Sequence, residues 1–314
     1  MDALVKFLKD NNKIIYLVLL VFCLLPFVTP PVSLLTGLIF ALICGKAYPG
    51  FNKKMSKYLL QFSVVGLGFG MNLHQALASG KDGMMFTIIS VAGTLLIGTF
   101  MARRLRVDKK TGYLISSGTA ICGGSAIAAV APVIKANDGQ ISVSMGTVFI
   151  LNAIALFLFP VLGHLFGLTQ HQFGLWSAIA IHDTSSVVGA GSAYGQEALQ
   201  VATTVKLTRA LWIIPVSIVT SFIFKSKSEK MYTPWFIFFF ILAMLVNTFF
   251  TLPAPLTTGM VWLARKGLTL TLFFIGASLS RDVLKSVGFR PMVQGVLVWI
   301  FIAITSLVYI MFMS

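Results

Sequence analysis

Acidic side chains are scarce: 9 Asp and Glu stand against 24 Lys and Arg, and charged residues make up only 11% of the 314-residue chain. A soluble domain carries about a quarter charged residues, whereas 57% of this chain is hydrophobic, which excludes a soluble fold. Long polar loops are also missing. No stretch outside the apolar runs exceeds roughly a dozen residues, so a separate soluble domain has no place. The 3 cysteines, Cys23, Cys44 and Cys122, lie in apolar stretches, which excludes a disulfide framework. Strands of alternating polarity are lacking, and with them an outer-membrane barrel. No G-x-x-x-x-G-K-[ST] motif occurs, which excludes ATP coupling by a P-loop of this chain. No cofactor and no metal is expected.

What remains is a series of continuous apolar runs, and they predict an all-α polytopic membrane protein of about 9–11 transmembrane segments. Candidate spans are Ile14–Val28, Val32–Cys44, Tyr58–Leu73, Gly83–Met101, the broken Thr111–Lys135 and Ile141–Leu165. Further along come the broken Gln172–Ala193, Leu199–Phe224, Thr233–Phe250, Leu268–Leu279 with a lead-in Thr257–Gly267, and Met292–Met313. The whole chain reads as one membrane unit, scaffold-like over 14–101 and 233–313 and core-like over 111–224. A net charge of +15 would suggest nucleic acid in a soluble protein. Here the cations sit in short loops (Lys46–Lys57, Arg103–Lys110, Lys225–Lys230, Arg281–Arg290), so a lipid bilayer and positive-inside topology explain them and no nucleic acid is expected. Placing these loops inside gives a cytoplasmic N-terminus and an external C-terminus. Lys6, Lys9 and Lys13 before Ile14–Val28 imitate a signal peptide. The absence of an A-x-A-like site before Pro30-Pro31 makes that stretch the first span.

Two polar interruptions break the apolar pattern. Gly118–Ala136 reads G-T-A-I-C-G-G-S-A-I-A-A-V-A-P-V-I-K-A, and Ala178–Gly195 reads A-I-A-I-H-D-T-S-S-V-V-G-A-G-S-A-Y-G. Ile121-Cys122-Gly123-Gly124-Ser125-Ala126-Ile127 lies over Ile181-His182-Asp183-Thr184-Ser185-Ser186-Val187, and each is followed by an apolar run with a proline, Pro160 or Pro215. In lipid, the backbone groups freed by such breaks must be buried in protein or line a watery cavity. Paired interrupted segments of this kind point to a transporter's binding site. Each half is about 10–12 residues, roughly 16 Å of helix, so each segment can cross fully or re-enter as a hairpin. Gly68-Phe69-Gly70-Met71-Asn72-Leu73 echoes Gly276-Ala277-Ser278-Leu279-Ser280-Arg281, and the two spans run in opposite directions, as an inverted repeat requires.

Asp2, Asp10, Asp82, Asp108, Asp138, Glu197, Glu229 and Asp282 lie at loops or segment ends. Asp183 alone sits inside an apolar segment, beside His182, while His74, His164 and His171 are at span ends. An ionisable residue inside the membrane marks a functional site; the alternative is a His–Asp pair that only hydrogen-bonds the broken backbone. Lys206 and Arg209, in V-K-L-T-R, share a helix face. They either line an anion path or snorkel at a helix end. Ser125 and Ser185 precede apolar half-helices as N-caps do. Half-helix N-termini aim N–H groups and positive dipole ends at the midplane, which suits an anion. Cys122, Gly123, Gly124 and Ala126 complete the first tip, and Thr184 and Ser186 add hydroxyls to the second. The alternative is that Gly and Ser there only permit close helix packing.

The G-T-A-I-C-G-G-S stretch, the H-D-x-x-S-V-V-G-A-G stretch, V-K-L-T-R and the late F-F-I-G-A-S-L-S-R-D-V-L…G-F-R-P run resemble the YeiH-like sulfate exporter family over nearly the whole chain. That resemblance implies an inner-membrane protein related to bile-acid symporters and cation/proton antiporters, with a core domain that slides against a scaffold. Asp183 fits the acidic residue relatives carry after the histidine, whereas Thr184 and Ser185 depart from the commoner choices.

The first functional reading is therefore a secondary transporter for a small anion, sulfur oxyanions foremost, and not an enzyme. His182 is the site group whose charge changes in the physiological pH range, so transport is expected to be proton-linked. A cation/proton antiporter using Asp183 is the alternative. A hydrolase built on Ser185, His182 and Asp183 has the right residue types, but such close helical positions do not face one point and no G-x-S-x-G elbow is present. Relatives of this architecture often form dimers, so a homodimer is an expectation by analogy alone.

Overall fold

The computed structural model describes residues 11–45, 47–224, 235–250, 252–278 and 287–312, with 75–86 as helical backbone. Asp2, Asp10, Lys46, Glu229, Asp282, the Lys225–Lys230 loop, Leu279–Arg281 and the Asp82 side chain lie outside the described residues. The described elements are all helical: α1 (Asn12–Leu24), α2 (Pro30–Ile43), α3 (Pro49–Gly68), α4 (Leu73–Arg104), α5 (Lys109–Ala120), α6 (Gly124–Val133) and α7 (Asp138–Leu165). They continue as α8 (Gln170–Ala180), α9 (Thr184–Tyr194), α10 (Gln196–Ala210), α11 (Ile213–Ile223), α12 (Trp235–Phe249), α13 (Ala254–Ser278) and α14 (Phe289–Phe312). Asp138–Leu165, Gln196–Ile223, Ala254–Ser278 and Phe289–Phe312 are long and apolar enough to cross a membrane, and the protein is a multi-pass membrane protein. The chain forms two units, Met1–Ala76 with Trp235–Leu284, and Leu77–Pro234 with Lys285–Ser314.

In the first unit α13 is one continuous helix, where the sequence reading separated a lead-in from a span at Gly267. Arg265 and Lys266 are good helix formers and carry it through. Lys266 is buried, and its Nζ donates to the Leu25 carbonyl 2.5 Å away at the C-cap of α1, giving that helix end a partner. Gly37 of α2 and Gly276 of α13 bring two backbones together: a Cβ on Gly37 would lie 2.8 Å from Ala277 N, and one on Gly276 2.8 Å from Leu38 N. Lipid is as apolar as leucine, so close backbone packing at small residues drives such contacts. Gly66 faces Ala264 and Gly267 faces Ser63, so α3 and α13 are antiparallel. Of the echo Gly68–Leu73 and Gly276–Arg281, Gly68 ends α3, Leu73 begins α4 and residues 276–278 end α13.

The second unit is built along α7, 28 residues or roughly 42 Å of helix. A capping box starts it, with Gln140 N donating to Asn137 Oδ1 at 2.9 Å and Asn137 N to Gln140 Oε1 at 3.0 Å. The first broken segment, α5–α6, turns back on itself: Lys110 Nζ donates to the Lys135 carbonyl at 2.6 Å, joining its two outer ends. Gln140 Nε2 reaches Asp108 Oδ2 at 2.8 Å, which sets this base at the start of α7. The second broken segment, α8–α9, does the same at the other end. Tyr194 OH donates to the Leu168 carbonyl at 2.6 Å, and its ring stacks on Phe173 at 3.8 Å and on His164 of α7 at 4.3 Å. Both segments are therefore re-entrant hairpins inserted from opposite ends of α7, which decides between the two arrangements the sequence left open.

The expected span Leu199–Phe224 is broken at Leu211–Trp212. Pro215 has no N–H for the Leu211 carbonyl and its ring crowds that oxygen. Tighter bonds replace the missing one: Leu211 N to Thr208 O at 3.2 Å, Trp212 N to Arg209 O at 3.0 Å and Ile214 N to Leu211 O at 3.1 Å. Helix α14 ties the unit together, since Gln294 Nε2 donates to Gly98 O, Gly112 O and Ser116 Oγ at 2.9–3.2 Å.

Candidate functional site

The two hairpin tips, Ile121–Gly123 and Ile181–Asp183, meet beside the middle of α7. A Cβ on Gly123 would lie 3.4 Å from both N and Cα of Asp183. Gly123 holds a φ of 65°, a left-handed conformation that glycine adopts without a steric cost. Asn152, halfway along α7, accepts the N–H groups of His182 at 3.1 Å and Asp183 at 3.2 Å with one side-chain oxygen.

A helix that stops inside the membrane leaves carbonyl oxygens without intrahelical partners, and no bulk water satisfies them. Helix α10 supplies the donors. Lys206 Nζ donates to Ile121 O at 3.0 Å, Ala178 O at 3.3 Å and Ile181 O at 2.7 Å, so one ammonium closes the C-terminal ends of both α5 and α8. Arg209 adds Ala120 O at 2.6 Å through Nη2 and Ser90 Oγ at 2.9 Å through Nη1. Trp299 Nε1 of α14 takes Ala180 O at 3.0 Å. Lys206 and Arg209 are both 0% exposed, so snorkelling at a helix end is excluded. These bonds hold both cations against the tip carbonyls, and Arg209 Nε is left without a partner among the described residues.

The two N-terminal half-helix ends differ. The cap of α9 is Asp183, not Ser185: its carboxylate accepts Ser185 N at 3.0 Å and Ser186 N at 3.4 Å, and the Ser185 hydroxyl donates to it as well. A carboxylate reaches the N2 and N3 amides from the cap position, whereas Ser185 already lies inside the helix as its second residue. The cap of α6 is Gly123, not Ser125, and no side chain caps it. Ala126 N points to the Cys122 sulfur, while the N–H groups of Gly124 and Ser125 have no acceptor among the described residues. Cys122 and Ala126 are buried, Gly124 is half-buried and Ser125 is exposed, so this end opens outward. Thr184, Ser185 and Ser186 of the other tip are all buried.

His182 is 1% exposed, yet among the described residues neither ring nitrogen has a hydrogen-bond partner, and the Asn152 amide nitrogen has none either. The imidazole meets the Trp299 ring at 6.4 Å and 69°, edge to face. His182 and Asp183 therefore do not form a pair. Ser185 bonds Asp183 and not His182, so the described geometry holds no Ser–His couple of the kind nucleophilic attack requires. Asn152, Trp299 and Ser90 escaped the sequence reading. Asn152 carried a usable signal, a lone amide inside an apolar run, whereas nothing in the pattern ties Trp299 or Ser90 to the tips.

A family model described as Conserved hypothetical protein 698 matches residues 32–308. The chain belongs to that family. It is 63% identical to a UPF0324 membrane protein of Bacteroides thetaiotaomicron, with 98% of each chain covered. It is 60% identical to a UPF0324 membrane protein of Porphyromonas gingivalis, over 90% of this chain and 87% of the relative. A UPF0324 membrane protein of Vibrio parahaemolyticus is 49% identical, over 92% and 94% respectively. No solved structure matches.

Proposed function

We propose that the chain is a secondary transporter of a small anion, with sulfur oxyanions such as sulfite or sulfate the first candidates. The observation that carries this reading is the charge at the tips. Lys206 and Arg209 are buried together, Asp183 is engaged by its own helix end, and the α6 N-terminus lacks any carboxylate of its own. A helix N-terminus with free N–H groups, backed by buried cations, favours an anion. The resemblance to the YeiH-like sulfate exporter family supports the same substrate class. In this reading the unit that bears both hairpins moves in an elevator fashion in the inner membrane, transport is proton-linked through His182, and the assembly is a homodimer.

Calorimetry and thermal shift on the purified protein with a panel of sulfite, sulfate and related anions test the proposal. A saturable response to at least one is expected, and a flat panel refutes the reading. The cation/proton antiporter is the weaker reading, because one oxygen of the Asp183 carboxylate is already taken by the Ser185 and Ser186 amides.

A further inference from the structure

Burial of charge at the tips sets how much charge the site can accept. Lys206 Nζ donates to three carbonyl oxygens, and only an ammonium has three protons to give. Arg209 is a permanent cation. Asp183 accepts two amides and a hydroxyl on Oδ2, and a carboxylate at a helix N-terminus carries its negative charge favourably there. Lys206 and Arg209 are both 0% exposed, so bulk water compensates neither of them. One positive charge is left over, and a buried charge without a partner is strongly unfavourable. The groups placed against His182 are Lys206 and Arg209 of α10, its chain neighbour Asp183, the Asn152 side chain of α7 that accepts its backbone N–H, and the Trp299 ring of α14. The two imidazole nitrogens have no partner among the described residues that would hold a proton.

Building on the reading of the tips as an anion site, we infer that the site takes one unit of negative charge with His182 neutral, and two units only when His182 gains a proton together with the anion. A monoanion balances the excess charge alone. A dianion leaves one negative charge over, and a proton from solution on a His182 ring nitrogen restores the balance. His182 thus makes the site selective for total charge: monoanions bind independently of pH, and dianions bind as anion plus proton.

Titration calorimetry on the full-length protein with nitrate and with sulfate, in buffers of different ionisation heat between about pH 6 and pH 8, reads the proton count directly. Sulfate is expected to take up one proton per anion and to lose affinity about tenfold per pH unit on going up. Nitrate is expected to take up none and to show no pH trend. Asp183→Asn keeps a capping oxygen and removes one negative charge, so sulfate should then bind without proton uptake. His182→Gln should weaken sulfate binding at least tenfold at the low end of the range and spare nitrate. Sulfate bound without proton uptake by the unmodified protein, or nitrate bound with it, overturns the inference while the anion site stands. Failure of both anions to bind removes the anion site itself, and the inference with it.

Discussion

Asp183 stands where the matched tip has Gly123, and that one difference decides which half-helix end is free for a ligand. The sequence match aligned these positions correctly and still pointed to Ser125 and Ser185 as caps, because a hydroxyl before an apolar run is an equally good capping signal. Only the observed helix start separates the two. Asp108 shows the same chemistry on the surface, where it caps α5. Partial burial would raise its pKa, but hydrogen bonds from the Thr111 amide, the Thr111 hydroxyl and the Gln140 amide outweigh that, and the carboxyl sits below its ordinary value. A lowered folded-state pKa gives stability that is present above the ordinary carboxylate range and lost as pH falls through the folded value. Asp108→Ala should therefore cost about 1 kcal/mol near neutral pH. The gap in melting temperature to the unmodified protein should close below the ordinary carboxylate range, near pH 3.9. A gap that persists in acid would show that Asp108 acts through something other than its charge.

At the scale of elements, two hairpins inserted from opposite ends share one lysine as a donor. Lys206→Met removes the donor from Ile121 O, Ala178 O and Ile181 O at once. Each orphaned buried acceptor costs about 1–3 kcal/mol, so a drop of several kcal/mol is expected, with faster amide exchange at both tips. Loosening confined to one hairpin would contradict a shared clamp. The existence of the breaks was legible in Gly123, Gly124 and the Ser185-Ser186 pair. Their re-entrant course was not, because it rests on the contact of Lys110 with the Lys135 carbonyl and of Tyr194 with the Leu168 carbonyl. Half-helices of this length fit either course. The turn at Leu211–Trp212 was likewise legible only as a proline in an apolar run, since membrane helices often continue through proline.

Across the whole molecule, the excess of apolar residues and the scarcity of acids made the multi-pass helical class plain. The pairing of helices was less legible, since lipid-facing and protein-facing positions are both apolar and the burial pattern leaves little periodic trace. Glycine carries what trace there is. Gly276→Leu would push a side chain into the backbone of α2 at Leu38 and should cost about 1–3 kcal/mol by overpacking, read as a lower melting temperature. Gly259→Leu, in the same helix with nothing within 4 Å of its added Cβ, should leave the melting temperature nearly unchanged. Equal effects at both positions would mean that the loss comes from helix propensity or lipid contact and not from the α2–α13 contact. The closeness of Gly37 to the 276–277 backbone also dictates an order of events at the ribosome. The Ser33 hydroxyl bonds the Thr269 carbonyl 236 positions later, so α2 enters the bilayer long before its partner has been translated. Until then the nascent chain must carry an unfilled glycine face through the insertion of every intervening helix, and truncation anywhere before α13 leaves that face permanently open to lipid.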